Sequence, residues 1–161
     1  MWMQYRTPGT FTVTNANAAT DLFLLRPADD KPCRLVGWSI GQNSEVADAQ
    51  EEGVAISVRH MAATLTVTGG TTVTEAPTHP GTGGATSATD SVYHATETTT
   101  SGTSTVMEYH GWNLRNTPWQ HWIPEELRPE AKDGEGLIVR CETTLADDVV
   151  FYCTFYWEEW Q

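Results

Sequence analysis

At 161 residues the chain is long enough to bury one hydrophobic core and too short for two ordinary domains, so a single domain is expected. A formal net charge of -12 sets it against a phosphate backbone, and Arg26, Lys31, Arg34, Arg59, Arg115, Arg128, Lys132 and Arg140 are scattered rather than gathered into a basic patch, so nucleic acid is not an expected partner. No apolar run approaches the roughly 20 residues of a membrane-spanning helix. Met1-Trp2-Met3-Gln4-Tyr5-Arg6 has no apolar signal region; the expectation is a protein that stays where it is made or leaves without a cleaved signal, with no membrane partner.

In chain order, Pro8-Gly9 marks off an aromatic N-terminal arm (residues 1–9, with Trp2 and Tyr5) from Thr10-Phe11-Thr12-Val13-Thr14, which alternates as a strand does. Residues 15–21 read as a turn. Leu22-Phe23-Leu24-Leu25-Arg26 is a second strand, closed by Pro27, and Cys33-Arg34-Leu35-Val36-Gly37-Trp38-Ser39-Ile40 a third. In the third, Arg34, Val36, Trp38 and Ile40 are larger than Cys33, Leu35, Gly37 and Ser39, so the former set is expected to face the core. Residues 42–53 carry Glu45, Asp48, Glu51 and Glu52. Such a cluster has the oxygen chemistry for calcium but not the spacing of an EF-hand loop, so a solvated acidic loop is expected. Val54 to His60 alternates as a half-buried strand.

From Thr64 to Thr105 the composition shifts to Thr, Gly, Ser and Ala. So few large apolar residues cannot order a segment by themselves, so this long loop is expected to lean on the rest of the fold or a neighbouring subunit. Ser91 to Thr96 reads as a short strand within it, and Thr105 to Trp112 as a longer one. Pro124-Glu125-Glu126 suits the first turn of a helix, but Pro129 stops it at once. Leu137 to Glu142 alternates, and Val149-Val150-Phe151-Tyr152-Cys153-Thr154-Phe155-Tyr156-Trp157 is unbroken β-branched and aromatic sequence, with Val149, Phe151, Cys153, Phe155 and Trp157 on the drier face. The polar residues 143–148 between them are of hairpin length. About eight or nine short strands with almost no helix predict an all-β fold, an antiparallel β-sandwich or jelly roll with a long Thr/Gly-rich loop.

No Gly-x-Ser-x-Gly elbow, phosphate-binding Gly-rich loop or His-Glu-x-x-His helix is present. His60, His79, His94, His110 and His121 lie far apart in sequence. His110 and His121 bracket an aromatic patch and have the chemistry for a metal or for acid–base work, but surface or interface histidines are the simpler reading. Cys141 and Cys153 sit on the last two predicted strands, where a disulfide is geometrically conceivable; buried free thiols, with Cys33, are the simpler expectation. No zinc spacing occurs. No catalytic group, metal or cofactor is expected, and hence no enzyme.

The stronger signal is aromatic. Seven tryptophans occur in the chain, and Trp112, Trp119 and Trp122 cluster between His110 and Pro124. Three readings account for them: they fill the mouth of the sandwich, they anchor a protein–protein interface, or they stack on sugar rings.

The run Thr117-Pro118-Trp119-Gln120-His121-Trp122-Ile123-Pro124-Glu125-Glu126-Leu127-Arg128, followed by Asp133-Gly134-Glu135-Gly136-Leu137-Ile138-Val139-Arg140 and a last strand ending Tyr156-Trp157-Glu158-Glu159, resembles the small β-sandwich virion proteins of tailed bacteriophages. Leu22 to Pro27 and Leu35 to Ile40 fit the same outline. The resemblance rests on turn and strand patterns and covers most of the chain; the Thr/Gly-rich insertion departs from a minimal sandwich. It implies a non-enzymatic decoration, or cement, protein on the capsid surface, assembled in the host cytoplasm. It further implies the major capsid protein lattice as partner and self-association, as a homotrimer. The partner-binding candidates are then Trp2, Tyr5, Trp112, Trp119, His121, Trp122 and Pro124. The alternative from another class is a carbohydrate-binding or receptor-binding jelly-roll module, such as the head of a tail fibre.

Overall fold

The computed structural model describes residues 1–42, 52–62, 66–68, 71–73, 75–78, 91–94, 99–101, 103–116 and 118–161. Alternating β-branched and aromatic residues produce the strands β1 (Trp2–Val13), β2 (Thr20–Arg26), β3 (Cys33–Gln42) and β4 (Gly53–Met61). The Thr-rich stretch contributes only the short β5 (Thr66–Thr68), β6 (Thr71–Thr72), β7 (Ala76–Pro77), β8 (Ser91–His94) and β9 (Thr99–Ser101). Then come β10 (Ser104–Asn113), β11 (Trp119–Trp122), β12 (Glu130–Ala131), β13 (Gly136–Cys141) and β14 (Val149–Trp160). The expected helical start after Pro124 is one 3-10 turn, Glu125–Leu127.

The strands form two antiparallel sheets packed as a sandwich. The first has the order β11-β3-β14-β1-β7, with β12 also on β3, and the second the order β10-β4-β13-β2-β8-β6; β5 and β9 pair separately. The pairings are nested: β1 lies on β14, β2 on β13, β3 on β11 and β4 on β10, as if one long hairpin had been rolled up. Rolling brings β14 onto β3 and β13 onto β4.

Nesting corrects one sequence expectation. The segments 137–142 and 149–157 are not a hairpin, because β13 belongs to the second sheet and β14 to the first, and residues 143–148 cross between them. Each strand finds a partner that buries its apolar face, and here that partner is not its chain neighbour. Cys141 and Cys153 thus lie on opposite sheets, and both, like Cys33, are buried free thiols.

The core is built by the inward faces of both sheets. Phe23 of β2 stacks on Phe155 of β14 across the sandwich, with centroids 4.5 Å apart, and Tyr5 stacks on its strand neighbour Trp157 at 4.7 Å. The Trp157 indole donates to Thr7 Oγ1 at 3.0 Å, which satisfies a polar atom that burial would otherwise penalise. Burial of each such aromatic side chain contributes about 1.5–3 kcal/mol. The drier face expected for β14, Val149, Phe151, Cys153, Phe155 and Trp157, is the buried one.

Two further expectations are revised. Pro8-Gly9 does not separate an arm: β1 runs through it from Trp2 to Val13, paired with β14 along its length, because Pro8 sits opposite Thr154 in register. On β3, Trp38 and Ile40 face the core as expected, but Cys33 and Leu35 are buried there too. The β3–β14 register passes from Tyr156↔Gly37 to Trp157↔Leu35, leaving Val36 as an extra residue. Such a bulge reverses the faces on either side of it. Glu45, Asp48 and Glu51 of the acidic connection lie outside the described residues, as do His79 and most of the Thr/Gly-rich stretch; Glu52 accepts a hydrogen bond from the Ala146 amide at 2.7 Å.

Candidate functional site

The Trp112–Pro124 region divides by strand alternation. On β11, Trp119 and His121 point between the sheets, and Gln120 and Trp122 point out. On β10, Glu108, His110 and Trp112 point inward, opposite the buried Val58, Ile56 and Val54 of β4. That aim depends on a second bulge: the register passes from Val106↔Arg59 to Glu108↔Val58, so Met107 is the extra residue and Glu108 is turned to the inside. β10 and β11 are the edges of their two sheets. Their inward residues meet across the open edge of the sandwich.

Glu108 Oε2 lies 2.8 Å from His110 Nε2 and 3.4 Å from His121 Nε2, and the two imidazole centroids are 4.2 Å apart. All three side chains are half-buried. The wall behind them is aromatic. Trp38 packs against His121 at 4.6 Å and His110 at 5.6 Å, and Trp119 against His110 at 5.7 Å and His121 at 6.1 Å. Trp112 stacks on Trp119 at 6.0 Å and leans on Phe151 of the core. Burial lowers the His121 pKa below the usual imidazole range, and the neighbouring His110 lowers it further; the Glu108 carboxylate opposes both.

The outward residues make a different surface. Trp122 is 54% exposed and tilts against Tyr156 of β14 with centroids 4.6 Å apart. Together with Gln4, Val36, Thr78 and Arg128 they line a groove of about 250 Å³ floored by Tyr5 and Trp157. At the far end of the same face, Trp2 meets Trp160 edge-on at 5.3 Å, and the Arg34 guanidinium lies 4.0 Å over the Trp2 ring. Between the two aromatic pairs, Arg128 holds the buried carboxylate of Glu158 at 3.1 and 3.2 Å. Tyr152 and Trp160 are also exposed.

Of the sequence-derived candidates, Tyr5 and Trp112 are therefore core residues, and Trp119 and His121 belong to the internal cluster. Trp2, Trp122 and Pro124 remain on the surface. Sequence reasoning passed over Glu108 and Trp38 of the internal cluster and Tyr156 and Trp160 of the surface. The Glu108-x-His110 spacing, which puts two ligand types on one strand face, was the available signal. Comparison with protein-family models, curated proteins and solved structures found no match to this chain.

Proposed function

We propose that the chain is a non-enzymatic virion structural protein that binds an assembled phage capsid shell and stabilises it as a decoration or cement protein, docking through the outer face of its first sheet. The observation that carries this reading is the aromatic row on that face: Trp122 and Tyr156 at one end, Trp2 and Trp160 at the other, with Arg34 and Arg128 between them. Trp, Tyr and Arg are the residue types that anchor protein interfaces; Trp and Tyr bury much area with little loss of side-chain freedom. A sheet face paired through β14 and β1 along twelve positions is also rigid, so little order need be gained on docking. The nested strand order supports reading the sandwich as a jelly roll. A protein that binds the assembled shell and not its free subunits adds its binding free energy to the assembled state. Self-association as a homotrimer would multiply that effect through avidity.

Co-sedimentation with purified shells tests the proposal. The chain is expected to pellet with expanded shells and to lose that property in Trp122→Ala/Trp160→Ala while its thermal midpoint hardly moves. Unchanged binding of this variant would remove the surface from the mechanism. Light scattering on the 17.8 kDa chain is expected to give a mass near three chains. A second reading, a carbohydrate-binding or receptor-binding module, is favoured by one feature, the tilted Trp122–Tyr156 pair beside Gln4 and Arg128 in an open groove. Saturable binding of a host polysaccharide by a monomeric chain would establish it instead.

A further inference from the structure

We propose that Glu108, His110 and His121 form a three-ligand site for a divalent first-row transition-metal ion of the zinc class, held between the edge strands of the two sheets. One carboxylate oxygen faces two imidazole Nε2 atoms at 2.8 and 3.4 Å, and the three ligand atoms lie within 4.8 Å of one another. Zinc bonds of about 2.0–2.2 Å at tetrahedral angles put ligand atoms roughly 3.3–3.5 Å apart. The set is therefore already near the size that such an ion requires, and side-chain rotation is enough to close it.

The donor chemistry selects the ion. Two imidazoles and one carboxylate suit zinc and its neighbours in the first transition row, whereas calcium and magnesium take all-oxygen sites. Three protein ligands also leave a position open, as in the His2Glu class of zinc sites. The same Glu108 oxygen is close to both imidazole Nε2 atoms, so all three donors converge on one place. A metal ion accepts both nitrogen lone pairs and the carboxylate at once. The surroundings agree with this: the Trp38 indole N–H is buried and has no acceptor among the described residues, and its ring borders both imidazoles.

The ligands come from both sheets, Glu108 and His110 from the edge of the second and His121 from the edge of the first. An ion there would staple the sandwich at its open edge, and because it binds only the folded arrangement it would raise the stability of the fold.

The test uses the full chain stripped with a chelator, then titrated with Zn2+ by calorimetry and with Co2+ by visible absorption, with thermal unfolding recorded in each state. One Zn2+ per chain, a raised unfolding midpoint and d–d bands of a low-coordinate Co2+ site are expected. His121→Ala and the near-isosteric Glu108→Gln are expected to lose at least about 100-fold in Zn2+ affinity, beyond what loss of an outer-shell partner costs. His60→Ala, which removes a histidine paired with Glu135 elsewhere on the surface, should bind as the parent does. Glu108→Gln keeps the test decisive if His121→Ala fails to fold. No stoichiometric binding by the parent chain, or binding that survives both ligand substitutions, would overturn the proposal.

Discussion

Gly37 and His121 meet so closely across the β3–β11 pair that a Cβ added to Gly37 would lie 2.2 Å from the His121 carbonyl oxygen. No side chain fits there, and the obstacle is backbone, which cannot swing aside. Gly37 also sits next to the Val36 bulge, with φ +156°. Gly37→Ala should push β11 away from β3, at a cost of about 1–3 kcal/mol or more from overpacking. Urea unfolding would read the loss. Zn2+ stabilisation should fall with it, because His121 moves with β11; an undisturbed midpoint would show that β11 tolerates the displacement.

Arg140 Nε lies 2.5 Å from Asp21 Oδ1, joining β13 to β2 where their register shifts, and the Asp21 side chain is almost wholly buried. Removing the cation takes from a buried carboxylate its charged partner, whereas removing both charges does not leave that imbalance. Arg140→Ala is therefore expected to lower the unfolding free energy by roughly 3–5 kcal/mol, and the Asp21→Leu/Arg140→Met pair to recover most of it. Equal losses for the single and double variants would contradict the argument.

The thiols should be inert in the folded protein. Burial pushes Cys141 up to about 11 and raises Cys153 as well, so raising the pH from 7 to 9 generates little of the reactive thiolate at either. Ellman's reagent is expected to label the native chain slowly and the denatured, unreduced chain at all three cysteines. A denatured chain with a single titratable thiol would reveal a disulfide.

Trp38 on β3 and Trp122 on the adjoining β11 differ in fate. Trp38 is fully buried among the rings of His110, His121 and Trp119, so Trp38→Ala should cost roughly 3–5 kcal/mol. Trp122 is more than half exposed, and Trp122→Ala should stay within about 1 kcal/mol of the parent. Denaturant melts of the two variants compare these costs directly. If the order were reversed, the outward aim of Trp122 would be wrong, and with it the docking surface.

The β class, the near absence of helix, the positions of the principal strands and the dry face of β14 were legible in the order of the residues. All of these follow from side-chain alternation and turn residues, which act over a few positions along the chain. Which strand lies beside which was decided only in the tertiary structure. β13 and β14 looked like a hairpin but occupy different sheets, each paired with strands remote in sequence. The bulges at Val36 and Met107 were likewise invisible in the alternation, since each appears only when a partner strand sets the register. One extra residue reverses every face beyond it. The bulge at Val36 puts Cys33 and Leu35 in the core; the bulge at Met107 turns Glu108 and His110 inward to meet His121, joining residues that the sequence keeps apart into one cluster.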